Sequence, residues 1–190
     1  MRKSQLTAKF EEALVYATRL HAHQTRKISG VPYISHLLSV AALVLEAGGT
    51  EEEAIAGLLH DGVEDQGGKS TREEIRQLFG ETVVAIVDGC TEYDTNPKPP
   101  WLERKKRYLE NISHASPSIR RVSLADKLHN ARSLLADFRQ NGSSIWQEFK
   151  AGKEGTLWFY QQLQQVYSAT GSDFLTQEFL RVVQQLCQET

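Results

Sequence analysis

Apolar residues recur at intervals of three and four along almost the whole chain, and no convincing alternation of apolar and polar positions marks a strand. The first helix is predicted over about Thr7 to His23, with Phe10, Leu14, Ala17 and Leu20 on one face. After a loop from Gln24 to Val31, Pro32 opens a second helix through Ala47, with Ile34, Leu37, Leu38, Ala41 and Leu45 as its buried positions and Gly48-Gly49 as its end. Thr50 and Glu53 have the form of a capping box, and the helix they start runs through Ala54, Ile55, Leu58 and Leu59 to roughly Val63. Gln66 to Lys69 reads as a loop, Ser70 or Thr71 as the cap of a short helix Arg72 to Phe79, and Glu81 to Cys90 as a further helix. Within that last helix, Val83 to Val87 is β-prone when taken alone.

Asn96-Pro97-Lys98-Pro99-Pro100 cannot be helical and forms a loop. Beyond it, helices are predicted over Leu102 to Ile112 and Ser118 to Phe138, the second placing Ile119, Val122, Ala125, Leu128, Ala131 and Leu135 at helical spacing. Asn141-Gly142-Ser143 breaks the chain, and two more helices follow, about Glu154 to Tyr167 and Asp173 to Gln188. With no repeat, long linker or low-complexity tail, the expectation is one all-α domain, a helical bundle spanning 1–190.

Composition narrows the function classes. A formal net charge of -2 argues against a dedicated nucleic-acid binder, yet leaves room for clustered cations to hold a small phosphorylated molecule. Apolar stretches are too short to cross a bilayer, and Met1 to Phe10 has no apolar segment of the secretory type. Cys90 and Cys187 stand far apart without a metal-binding spacing, so they read as reduced thiols of a cytoplasmic protein.

The chemistry concentrates in Leu58-Leu59-His60-Asp61-Gly62-Val63-Glu64-Asp65. Residues four apart on a helix differ by about 40° of rotation, which sets Glu64 over His60 and Asp65 over Asp61. Three carboxylates this close repel one another unless a cation sits among them. His36, at the start of an apolar helix, and Asp126, interrupting Val122-Ser123-Leu124-Ala125, supply two further polar groups among core residues. Two imidazoles and two carboxylates make a mixed set suited to Mn²⁺, Fe²⁺ or Zn²⁺. His21, His23 and His114, by contrast, read as ordinary hydrogen-bonded histidines.

The pattern His36…His60-Asp61…Asp126 resembles the signature of the HD superfamily, and the surrounding segments narrow the resemblance. Arg26 to His36, Leu59 to Asp65, Phe79-Gly80-Glu81 with Val87 to Thr91, and Leu124 to Arg132 are similar to segments of RelA/SpoT-type (p)ppGpp hydrolases, in the same order over about Ala13 to Leu135. The chain departs from that pattern at Ile28, which lengthens the first loop, at Gly62, where a bulkier residue is common, and over Phe149 to Leu163. The resemblance implies an HD-domain bundle with one divalent ion, commonly Mn²⁺, on His36, His60, Asp61 and Asp126. It makes Glu64 and Asp65 the groups that orient or deprotonate water. Arg26 and Lys27 would be the basic pair of the nucleotide pocket, with Asn130 and Ser133 on its wall. Lys98, Arg104, Lys105, Lys106 and Arg107 add charge nearby, although most read as a solvated face, and Tyr160 or Lys153 is a candidate for the far side.

The implied activity is hydrolysis of the 3′-pyrophosphate of ppGpp or pppGpp to GDP or GTP and pyrophosphate by a stand-alone small alarmone hydrolase. The expected partner is a guanine nucleotide, without nucleic acid or membrane. Two other readings stay open at this point: an HD phosphohydrolase for another nucleotide or pyrophosphate, and a non-catalytic alarmone-binding regulator.

Overall fold

The computed structural model describes residues 5–93, 99–171 and 173–190. Among these the regular structure is helical: α1 (Ala8–Leu20), α2 (Ile34–Glu46), α3 (Glu51–Leu59), α4 (Gly62–Asp65), α5 (Lys69–Phe79), α6 (Glu81–Cys90), α7 (Trp101–His114), α8 (Pro117–Asn141), a 3₁₀ segment (Gly142–Glu148), α9 (Gly152–Thr170) and α10 (Phe174–Glu189). The one β contact among the described residues is an isolated bridge between Thr25 and Pro32. None of the helices is long and apolar enough to cross a membrane.

Two helices organise the rest. Every residue of α3 from Glu53 to Leu59 is buried, because α1, α2, α5, α6 and α8 surround it. Sealing Leu58 and Leu59 from water stabilises the fold by about 1.5–3 kcal/mol each. The approach of α2 to α3 is close at Gly57, where a Cβ would lie 3.3 Å from the Ala41 Cα. The other organiser, α8, is 25 residues long and touches α2, α3, α6, α7, α9 and α10. Five successive positions in it, Val122 to Asp126, are buried, so this helix has no clean polar face along that stretch.

The helix starts carry the expected chemistry. Thr50 Oγ1 accepts from the Glu53 backbone N–H at 3.3 Å, and Glu53 Oε2 accepts from the Thr50 N–H at 2.9 Å, which completes the capping box. The same carboxylate oxygen receives Arg121 of α8 at 2.5 Å, so the cap also ties the two central helices together. Ser116 caps α8 through the Ile119 N–H, with Pro117 in the first turn where its missing donor costs nothing. Val83 to Val87 is helical despite its branched residues, because burying Val83, Val84, Ile86 and Val87 against α3 and α8 outweighs local preference.

Several boundaries differ from the sequence pattern. The second helix starts at Ile34 instead of Pro32, since residues 24 to 33 are occupied in a folded loop. Arg26 N donates to Val31 O at 2.8 Å, Tyr33 N to Gln24 O at 2.9 Å, and Gly30 supplies the positive φ of 70° that the reversal needs. On α2, Leu38 is exposed, and Ile34 and Leu45 are only half-buried. The buried stripe there is Leu37, Val40, Ala41, Leu43 and Val44. The third helix stops at Leu59 and resumes as the single turn α4. Neither Ser70 nor Thr71 caps α5. That helix starts at Lys69 behind Gly68, and Thr71 Oγ1 donates to the Gln66 carbonyl instead. Asn141-Gly142-Ser143 does not end helical structure but passes into the 3₁₀ segment. Lys98 and residues 96 and 97 of the proline-rich loop lie outside the described residues.

Candidate metal centre and nucleotide pocket

The break between α3 and α4 shapes the site. His60 keeps helical backbone, Asp61 turns at φ −93° and ψ −5°, and both side chains meet those of α2 and α8. His36, His60 and Asp126 are buried, and each offers one ligand atom within 4.8 Å of the others. The Oδ2 of Asp61 joins them, 3.0 Å from His60 Nε2 and 3.5 Å from His36 Nε2. Asp126 Oδ1 lies 3.3 Å from His36 Nε2 and 3.6 Å from His60 Nε2.

The donor chemistry fits a divalent cation. His60 Nδ1 lies 2.9 Å from the Gly57 carbonyl, which can only accept, so that nitrogen carries the ring proton. In the neutral ring, Nε2 then turns a lone pair towards two carboxylates, an arrangement that requires positive charge between them. Neither His60 Nε2 nor His36 Nε2, both buried, has a hydrogen-bond partner among the described residues. Two imidazole nitrogens and two carboxylate oxygens, each left without a proton donor on its inner side or facing another acceptor, suit a borderline transition metal.

Outer groups hold the carboxylates in place. Tyr33 Oη donates to Asp61 Oδ2 at 2.6 Å. Lys127 Nζ donates to Asp126 Oδ2 at 2.7 Å, and Asn130 Nδ2 to Asp126 Oδ1 at 2.5 Å. Burial opposes charge on both acids. Without an ion between them, Asp61 and Asp126 overcome burial at His60 and raise its pKa well above the ordinary value, and the protonated ring in turn overcomes burial at Asp61. Lys127 does so at Asp126, and each carboxyl is held well below the usual carboxylate range. Burial likewise opposes the charge on Lys127, and Asp126 overcomes it and raises the ammonium well above its ordinary value.

Glu64 and Asp65 sit one turn beyond. Asp65 N donates to Asp61 O at 2.9 Å, which preserves the helical offset across the break. Although Asp65 as a whole is exposed, desolvation of its carboxyl and then the charge of Asp61 push its pKa up. Gln24 Nε2 donates to Asp65 Oδ2 at 2.8 Å, and Glu64 Oε2 accepts from the Glu92 N–H at 3.2 Å.

A cavity of about 420 Å³ opens beside this cluster, joined to it by Tyr33, Lys127, Asn130 and Gln24. All four expected substrate-binding residues line it. Arg26 is held over the Tyr33 ring at 5.7 Å, and Asn130 and Ser133 stand on the α8 wall. Lys27, at the exposed rim, meets the Glu148 carbonyl and, at 3.4 Å, its carboxylate. Of the cations after the proline-rich loop, Lys105 reaches the cavity, 4.5 Å over Phe159 and 2.8 Å from Glu92. Arg104 is spent on Glu92 at 2.5 Å, while Lys106 and Arg107 are exposed. On the far side the structure brings in Tyr160 and leaves out Lys153, whose Nζ meets the Thr190 carbonyl.

The HD domain family model matches residues 13–157, a span that holds the whole cluster and nearly all of the cavity wall. The chain belongs to the HD-domain family. Within it, the guanosine-3′,5′-bis(diphosphate) 3′-pyrophosphohydrolase MESH1 of Homo sapiens is 40% identical over 130 residues, 67% of this chain and 70% of that one. The enzyme of the same description from Xenopus tropicalis is 42% identical over 126 residues, 65% of this chain and 68% of its own. Among solved structures, a metazoan SpoT orthologue described as hydrolysing ppGpp superposes with a TM-score of 0.79 at 29% identity, covering 95% of this chain and 97% of the other. A Listeria monocytogenes protein superposes at 0.71 and 32% identity, covering 80% and 97%.

Sequence reasoning about this HD domain passed over Tyr33, Lys127 and His129 as site residues. All three lie inside the quoted segments, within three positions of a candidate ligand, but a residue type alone does not show which way its side chain points. His129 Nδ1 sits 2.7 Å from His36 Nδ1. Burial, then His36 and Arg26, push the His129 pKa down to about 4. Of the three histidines read as ordinary, His114 is exposed beside Glu110 and His23 is exposed. His21 is buried, with Nδ1 2.6 Å from Gln24 Oε1, its ring stacked on Tyr33 and its Nε2 without a hydrogen-bond partner among the described residues.

Proposed function

We propose that this HD domain, as one unit over 1–190, hydrolyses the 3′-pyrophosphate of ppGpp or pppGpp, giving GDP or GTP and pyrophosphate. The observation that carries the reading is the convergence of His36, His60, Asp61 and Asp126 beside a cavity walled by cations and aromatic rings. We assign one divalent ion to those four residues, with Mn²⁺ as the ion. When bound, it supplies Lewis-acid polarisation of the phosphoryl group and a lowered pKa for the attacking water.

The residues divide the remaining work. Asp65, with its raised pKa, is placed to accept a proton from water, and Glu64, ordered by the Glu92 N–H, orients that water. Water oxygen bonds to the 3′ phosphorus, the bond from phosphorus to O3′ breaks, and O3′ leaves with the nucleotide and takes up a proton. Lys127, bonded to Asp126, and Lys105, on the cavity wall, offset the phosphate charge. Arg26, with Asn130 and Ser133, holds the nucleoside, and Lys27 meets it from the rim. The free thiols Cys90 and Cys187 support placing the enzyme in the reducing cytoplasm.

The test is a ppGpp hydrolysis assay with Mn²⁺ on wild type, Asp61→Ala and Glu64→Ala, with metal content measured on each. Loss of metal and turnover in the first, and loss of turnover with metal retained in the second, is the expected result. Wild-type protein that spares ppGpp while cleaving other nucleotides would defeat the substrate assignment.

A further inference from the structure

We propose that His129 is a positioning residue that sets the tautomer of His36: its Nδ1 accepts the Nδ1–H of His36, so that His36 presents the Nε2 lone pair to the ion. The inference rests on the metal reading above and adds a residue to it.

His36 has no exposed surface, so water cannot choose between its tautomers. Its two ring nitrogens face different surroundings. Nε2 points at Asp126 Oδ1 and Asp61 Oδ2 without a hydrogen bond, and Nδ1 lies 2.7 Å from His129 Nδ1. A neutral imidazole carries one proton and can donate from only one nitrogen. Ligation through Nε2 therefore demands the proton on Nδ1 and an acceptor opposite it.

For the companion ligand the acceptor is a backbone carbonyl, Gly57 O, which has no alternative role. For His36 the partner is an imidazole, which can play either part, so the identity and placement of that side chain decide the outcome. The rings meet tilted by 46° with centroids 4.8 Å apart, which brings nitrogen to nitrogen and not face to face. His129 also lies three residues after Asp126 on α8. One turn of that helix thus supplies both a ligand and the group that orients a second ligand from α2. Histidine ligands commonly give their outer N–H to a carboxylate, a carbonyl or water, and losing such a partner costs about ten- to a hundredfold in metal affinity.

The experiment has two arms on the purified full chain. Nitrogen-15 NMR of the His36 ring in the protein loaded with diamagnetic Zn²⁺ reads which nitrogen carries the proton and which faces the ion. Mn²⁺ titration by calorimetry then compares wild type with His129→Phe, which removes the acceptor, and His129→Asn, whose Oδ1 occupies the Nδ1 position. Expected are a protonated Nδ1 and an unprotonated Nε2 in wild type. Mn²⁺ affinity should fall about ten- to a hundredfold in His129→Phe and largely recover in His129→Asn. Circular dichroism confirms that each variant is folded, and a His129→Phe that fails to fold leaves the wild-type spectrum and His129→Asn to decide. A proton on Nε2 in Zn²⁺-loaded wild type overturns the proposal, as does wild-type Mn²⁺ affinity in a folded His129→Phe. Wild type that binds neither Mn²⁺ nor Zn²⁺ overturns the metal reading instead, while the Nδ1 proton of His36 in the metal-free spectrum, hydrogen-bonded to His129 or absent, still judges the His36–His129 relation.

Discussion

The Arg26 guanidinium donates to Asn130 Oδ1 at 2.8 Å, joining a loop and a helix 104 positions apart in the chain. Asn130 in turn donates to Asp126 Oδ1. Arg26 of the first loop is therefore mechanically linked to a candidate metal ligand through one amide. Because a charged donor is involved, the first bond is worth about 1.5–3 kcal/mol.

Arg26→Ala is expected to lower kcat/KM for ppGpp about ten- to a hundredfold, mainly through KM, since Arg26 touches the pocket and not the metal cluster. Asn130→Ala should raise KM in the same way and also weaken Mn²⁺ binding, because Asp126 loses a donor. Steady-state kinetics and metal titration of the two variants separate these effects.

Chelation should destabilise the fold as well as stop turnover. The four candidate ligands come from α2, the α3–α4 break and α8, so an ion holds three parts of the bundle together. At a hundred times its Kd, a ligand of the native state adds about 2.7 kcal/mol, or roughly 5–10 °C in Tm for a chain of this size. Thermal melts with EDTA and with added Mn²⁺ measure the difference, and His60→Ala should show none.

Glu53 gives the stability a defined pH dependence. Burial works to raise its pKa, but hydrogen bonds from Ser118, the Thr50 backbone and Arg121 overcome it and hold the carboxyl below its usual range. A depressed folded-state pKa contributes stability that is present above the unfolded value, about 4.3, and is lost as pH falls through the folded one. Glu53→Gln should therefore cost about 1–3 kcal/mol at neutral pH. Urea unfolding of both proteins should show the gap closing as the solution is acidified towards pH 3. A gap that stays constant would mean that the carboxylate charge is not what stabilises the cap.

Gly57→Leu tests the close approach of α2 and α3. With the Ala41 backbone 3.3 Å from the new Cβ, no rotamer relieves the clash and the helices must separate. A loss of about 1–3 kcal/mol is expected. Metal affinity should fall with it, because His60 lies one turn along the same helix and donates to the Gly57 carbonyl.

Much of this protein was legible from local pattern. Helical spacing, the Thr50–Glu53 box and the glycine after α2 depend on residues within a few positions of one another, so the chain itself specifies them. The four candidate ligands could be picked out because a buried ionisable group on an apolar helix needs a partner wherever the helix ends up. The resemblance over Ala13 to Leu135 added the pocket residues in the same way.

The rest depends on which faces meet. Leu38 and Leu37 are equally apolar neighbours, and only the packing of α2 on α3 and α8 buries one and exposes the other. Val83 to Val87 became helix because two other helices cover it. Tyr33 on Asp61, Lys127 on Asp126 and His129 on His36 are hydrogen bonds between side chains whose directions follow from three-dimensional placement, two of them across more than twenty positions of sequence. Residue type and spacing determined which atoms could bind an ion, and tertiary packing decided which neighbours aim them, because a hydrogen bond needs a distance and a direction that no sequence position encodes.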